Sequence, residues 1–129
     1  MNQKSSESVE QICLFRWAEW QAGKYPELRW LFHIPNGGLR SKATAGRLKA
    51  EGVKAGVPDL FLPVPHQGYH GLFIEMKREK GGKPSENQKE WLKQLNEAGY
   101  LAVICHGWEA AAQELTRYLE TDELIKYLK

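Results

Sequence analysis

The 129-residue sequence predicts an α/β sandwich, on three observations. Helical and extended patterns alternate along the chain in the order α, β, α, β, β, α, β, α. The two segments at the middle of that order, "DLFLPV" and "GLFIEMK", are too apolar for a sheet with one wet face, so they are expected at its centre. The joints are turn chemistry rather than linker: Gly23, "PNGG", Gly52 and Gly99 each stop a periodic run. With 42% hydrophobic and 26% charged residues the chain can bury a core, which excludes disorder and fibrous repeats and predicts a single domain over residues 1–129.

Each element has its own signal. "SESVEQICLFRWAEW" carries Val9, Ile12, Cys13 and Phe15 at helical intervals behind a capping Ser5 or Ser6, predicting a helix from about Ser6 to Ala22. "KYPEL" reads as a turn, and "RWLFHI" as a short strand stopped by Pro35. "LRSKATAGRLKAEG" is Ala-rich and polar, a helix closed by Gly52. The two central strands follow, joined through "PHQGYH" as an antiparallel hairpin. Ser85 and Gln88 form a capping box at the start of a helix that buries Trp91, Leu92 and Leu95. "YLAVIC" is a buried strand, and "WEAAAQELTRYL" a last helix that "TDELIKYLK" extends.

Bulk properties exclude several functions. A net charge of +2 is too mild to argue for a polyanion partner by itself, so the distribution of charge has to carry that case. Cys13 and Cys105 stand far apart in apolar segments, the pattern of free thiols in a reducing compartment rather than of a disulfide or zinc framework. No apolar run is long enough to span a bilayer and the N-terminus has no signal-peptide core, so no membrane partner and a cytoplasmic location are expected. His33, His66, His70 and His106 lack metal-ligand spacing, and neither a P-loop nor a nucleophile elbow is present.

The chemistry gathers at the strand ends. Side chains alternate along a strand, so Glu75 and Lys77 share one face while Met76 takes the other. In an antiparallel hairpin the start of the first strand lies beside the end of the second, which brings Asp59 to Glu75 and Lys77 if the register puts it on their face. Two carboxylates so close repel unless a cation lies between them, and oxygen ligands suit Mg²⁺ or Mn²⁺, with the Met76 carbonyl as a further ligand. Such an ion polarises a phosphate, while Lys77 orients water or stabilises developing charge; the reaction expected is phosphodiester hydrolysis. The plainer reading is a strand-end salt bridge with Asp59 merely opening a strand.

From this pattern the chain resembles the VRR-NUC nucleases of the PD-(D/E)XK superfamily. The likeness rests on "HIPNGG" at His33 to Gly38, "GVPDL" at Gly56 to Leu60, "GLFIEMK" at Gly71 to Lys77, "SENQKEW" at Ser85 to Trp91 and "AGY" at Ala98 to Tyr100, and covers most of the sequence. It implies a restriction-endonuclease-like mixed β-sheet flanked by α-helices, a divalent metal, and hydrolysis of structured DNA. It also implies that Asp59 and Glu75 ligate the metal, that Lys77 is the catalytic lysine, and that Gln88 approaches from the following helix. An acid on the first helix completes the pattern: Glu7 fits an E-x-x-x-Q spacing with Gln11, whereas Glu10 lies deeper beside Val9 and Cys13. Compact members, from phages or bacteria, resemble homodimers that cut four-way (Holliday) junctions, where two sites about a two-fold axis nick opposed strands. Trp17, Trp20 and Trp30 exceed what one small core is expected to hold, consistent with such an interface.

Two basic segments flank the expected site: Arg40, Lys42, Arg47, Lys49 and Lys54 after the Asn36-Gly37-Gly38 loop, and Lys77, Arg78, Lys80 and Lys83 after the second strand. They suit a groove that tracks phosphates, the loop glycines allowing close backbone approach to DNA. Two alternatives accompany the junction-resolvase reading. One is a DNA-binding module on a nuclease scaffold that does not cleave; the other is a nuclease acting on flaps, nicks or duplex ends.

Overall fold

The computed structural model describes residues 6–35 and 41–128, with side chains through Glu120. The first helix, α1, spans Glu7–Gln21, and Ser6 caps it by accepting the Val9 N–H at 3.1 Å. Here the sequence expectation for "RWLFHI" needs correction. Pro26–Trp30 is a 3₁₀ helix, and only Phe32–His33, β1, is strand. Pro26 opens the 3₁₀ helix, where its missing N–H is harmless, and the buried residues are Leu28 and Leu31. A spacing of three is the 3₁₀ period, not the alternation of a strand.

The remaining elements are α2 (Lys42–Ala50), β2 (Leu60–Leu62), β3 (Leu72–Lys77), α3 (Glu86–Glu97), β4 (Leu101–His106) and α4 (Trp108–Leu128). The sheet has four strands in the order β1-β2-β3-β4, so the two most apolar strands are central as expected. β1 and β2 pair antiparallel, as do β2 and β3 with Leu60 opposite Ile74 and Leu62 opposite Leu72. β3 and β4 run parallel, from Leu72 opposite Leu101 to Lys77 opposite His106, with α3 as the connection. The result is a mixed sheet flanked by helices, an α/β restriction-endonuclease-like fold.

Alternation divides the sheet into two faces. Leu60, Leu62, Leu72, Ile74, Met76 and Cys105 pack in one cluster with Leu14 and Ala18 of α1 and Ala111, Leu115 and Leu119 of α4. Phe73 and Ala102 face the other way and pack with Leu95, Trp91 and Leu92 of α3. Phe61 stacks on Phe73 at 4.1 Å between ring centres, and Tyr100 meets both edge-on. The hairpin connection is tied to α4: the Tyr118 hydroxyl donates to the Val64 carbonyl at 2.7 Å, and the Gln67 amide donates to the Arg117 and Tyr118 carbonyls. Tyr25 adds a hydrogen bond to Glu120. Among the described residues no helix is long and apolar enough to cross a membrane.

The tryptophans divide between core and surface. Trp17 packs on the larger cluster, whereas Trp20 is 89% and Trp30 57% exposed. Both cysteines are free thiols. Burial, reinforced by Glu114 and opposed by Arg117, pushes the Cys105 thiol up to about 12.

Candidate active site at the end of β3

β2 stops at Leu62 in one direction and begins only at Leu60 in the other, so β3 outruns it toward Lys77. At that step the unpaired edge of β3 meets a side chain instead of a strand: the Met76 N–H donates to Asp59 Oδ2 at 2.8 Å. Asp59 is itself held from β1, its carbonyl accepting from the Ile34 N–H and lying 3.0 Å from His33 Nδ1. Continuing the β2–β3 register by one position sets Asp59 opposite Glu75, on the same face. The register that the sequence left open is therefore the one that joins the three residues.

Glu75 and Lys77 project toward α3, where Gln88 links them. Its Nε2 donates to Glu75 Oε2 at 2.9 Å and its Oε1 accepts from Lys77 Nζ at 3.0 Å. Lys77 Nζ also lies 3.6 Å from Glu75 Oε2. The same Gln88 Oε1 accepts the Ser85 N–H at 2.9 Å while the Gln88 N–H donates to Ser85 Oγ, closing the capping box. A helix-starting device thus fixes which end of the amide faces the acid and which the amine. Ser85 is the positioning residue that sequence reasoning placed only as a cap; a capping Gln three residues on from it, one loop after an E-x-K, was the available signal.

Glu75 and Lys77 are 2% and 6% exposed, unusual for charged side chains. Burial first, then the charge of Asp59, raise the Glu75 carboxyl from 4.5 to about 8 against the opposing pull of Lys77, and the charge of Glu7 adds to the rise. Glu75 Oε1 has no hydrogen-bond partner among the described residues. A buried carboxylate oxygen without a donor, on a side chain that feels the charge of Asp59, fits a hard cation. In a strand the N–H and C=O of one residue point the same way, so the Met76 carbonyl faces Asp59 as its N–H does. Among the described residues no group of three or more His, Cys, Asp or Glu side chains is arranged for a metal. The fitting donor set is two carboxylates and a carbonyl, which leaves coordination positions for substrate and water, as Mg²⁺ sites commonly do.

The two acids of α1 part company. Glu10 is buried, and its Oε1 accepts the Trp108 N–H at 2.9 Å, capping the first turn of α4. Gly107, at φ +87°, makes the turn into that helix and donates its N–H to the Lys77 carbonyl at 2.8 Å. Glu7 is exposed, and its charge reaches Glu75. Of the basic residues, Lys42, Arg47, Lys49, Lys54, Arg78, Lys80 and Lys83 are all exposed. α2, which carries the first of these, buries no residue. Asn36, Gly37, Gly38 and Arg40 lie outside the described residues.

Comparison with known proteins agrees with this fold. The family model described as VRR-NUC domain matches residues 5–109. A solved structure described as a VRR_NUC domain protein is similar with a TM-score of 0.79, at 29% sequence identity, over 92% of this chain and 91% of that chain. No curated protein matches significantly.

Proposed function

The chain belongs to the VRR-NUC domain family, and on that premise we propose that it is a divalent-metal-dependent endonuclease that hydrolyses phosphodiester bonds in branched DNA, as a homodimer that resolves four-way junctions. The observation that carries the proposal is the convergence of Asp59, Glu75, Lys77 and Gln88 at one strand end. Asp59, Glu75 and the Met76 carbonyl would hold Mg²⁺ or Mn²⁺, which when bound supplies charge neutralisation and polarisation of the scissile phosphate. The protein's own groups do the remaining work. Lys77, held by Gln88, presents an ammonium to the attacking water and to the charge that grows on the phosphate oxygens. Gln88 bridges that ammonium and Glu75, which also lie 3.6 Å apart as an ion pair. The exposed cations of α2, Lys54 and the Arg78–Lys83 segment would meet phosphates on either side.

Glu75→Ala and Lys77→Ala should each lower cleavage of a labelled four-way junction in Mn²⁺ by at least about a hundredfold while junction binding persists. Full activity in either variant ends the mechanism. If wild-type protein binds the junction and never nicks it in any divalent ion, the protein is a binding module. Mapping cuts on a panel of junctions, flaps, nicked and blunt duplexes separates a resolvase from a nuclease of ends or flaps: symmetrical nicks on opposed junction strands are expected.

A further inference from the structure

The loop after α2 presses on the first turn of α3. Gly56, at φ +95°, comes so close to Asn87 that a Cβ there would sit 2.7 Å from the Asn87 backbone, a contact that sets Lys54 over the flank of the helix. Between them lies an open recess of about 540 Å³ lined by Lys54, Glu90, Trp91, Lys93, Gln94 and Glu97. Trp91 is half-buried, with its body packed on the Phe73, Leu95 and Ala102 cluster, so the indole in the recess wall is held by the core. It stands three residues after Gln88 on α3, which makes the two side chains surface neighbours and the recess a neighbour of the candidate active site.

We propose that this recess receives one unpaired nucleotide of the DNA beside the scissile phosphate. Trp91 stacks on the base, Lys54 and Lys93 meet its phosphates, and Glu90, Gln94 and Glu97 bond the amino and carbonyl groups of the base edge. The lining decides between this occupant and a continuous backbone. Two lysines against two glutamates leave the wall without net charge, a poor track for a run of phosphates. An aromatic face beside hydrogen-bonding side chains suits a base that has left its stack. A base in continuous duplex hides its faces in the stack and its edge in the pair, so the recess selects DNA carrying an unstacked, unpaired nucleotide over continuous duplex. The inference rests on the nuclease reading for the strand that passes the recess.

The test uses binding without divalent metal, so that cleavage plays no part. A duplex carrying one unpaired 2-aminopurine is compared with the fully paired duplex. Wild-type protein is expected to bind the unpaired form about tenfold more tightly and to quench its fluorescence. Trp91→Leu should lose both the preference and the quenching, its affinities for the two duplexes becoming equal. Trp91→Phe should retain most of both, since it also gives up core volume but keeps an aromatic face. Equal affinity for the two DNAs, or a preference that survives Trp91→Leu, overturns the proposal. Failure to bind either DNA overturns it together with the nuclease reading, whereas equal binding accompanied by junction cleavage in Mn²⁺ overturns the recess alone.

Discussion

Glu75 couples the site to pH. Its carboxyl, raised from 4.5 to about 8, holds a proton in the folded metal-free protein under conditions where the unfolded chain has lost it. The folded state then binds more protons than the unfolded one, so this contribution to stability is whole below about pH 4.5 and is lost as pH rises through about 8. Chemical denaturation across that window should show wild-type stability falling relative to Glu75→Gln, with a slope approaching about 1.4 kcal/mol per pH unit. Mg²⁺ or Mn²⁺ should reverse the fall in wild type, by displacing the proton, and leave Glu75→Gln unmoved. Parallel pH profiles for the two proteins would contradict the burial argument. At this scale the sequence was informative in part: E-x-K alternation put Glu75 and Lys77 on one face and the hairpin brought Asp59 near them, because period and turn geometry are local properties, but the register that sets Asp59 on that face is seen only in the strand pairing. It could not separate Glu7 from Glu10, because what separates them is a helix that starts at Trp108.

Helix α1 shows how one element can serve two ends. The charge of its exposed first-turn acid, Glu7, is felt at Glu75, while Glu10, one turn on, caps α4. Glu10→Ala should therefore cost about 1–2 kcal/mol of stability through the lost cap, with cleavage by the folded protein retained. Glu7→Ala should change stability by less than about 0.5 kcal/mol and raise the metal concentration needed for cleavage. Thermal melts paired with metal titrations check both, and the reverse assignment of effects would make Glu10 the site acid. The element boundaries repeat the lesson. α1, α3 and β3 follow the sequence closely, since caps and periodicity sit inside each segment. "RWLFHI" does not, because Trp30 and Phe32 suggest strand by propensity while Pro26 and the burial of Leu28 and Leu31 impose a 3₁₀ turn.

For the molecule as a whole, the surface of α1 is the feature that packing leaves unused. Val9, Ile12 and Trp20 are 47%, 53% and 89% exposed and recur along the side of the helix opposite Leu14 and Ala18. A second copy set about a two-fold axis would cover such a stripe, which supports the homodimer within the proposed function. Trp20→Asp should shift the mass in solution from dimer to monomer and replace paired junction cuts by single nicks. An unchanged dimer would move the interface elsewhere.

The contacts of the site bridge 17, 13 and 11 positions of chain, whereas the Glu10–Trp108 lock bridges 98. Loop-closure entropy grows with the logarithm of that separation, so joining the ends of the molecule costs about 2 kcal/mol more than assembling the reactive corner. The geometry of the candidate site accordingly depends less on distant chain segments finding one another than does the lock between α1 and α4.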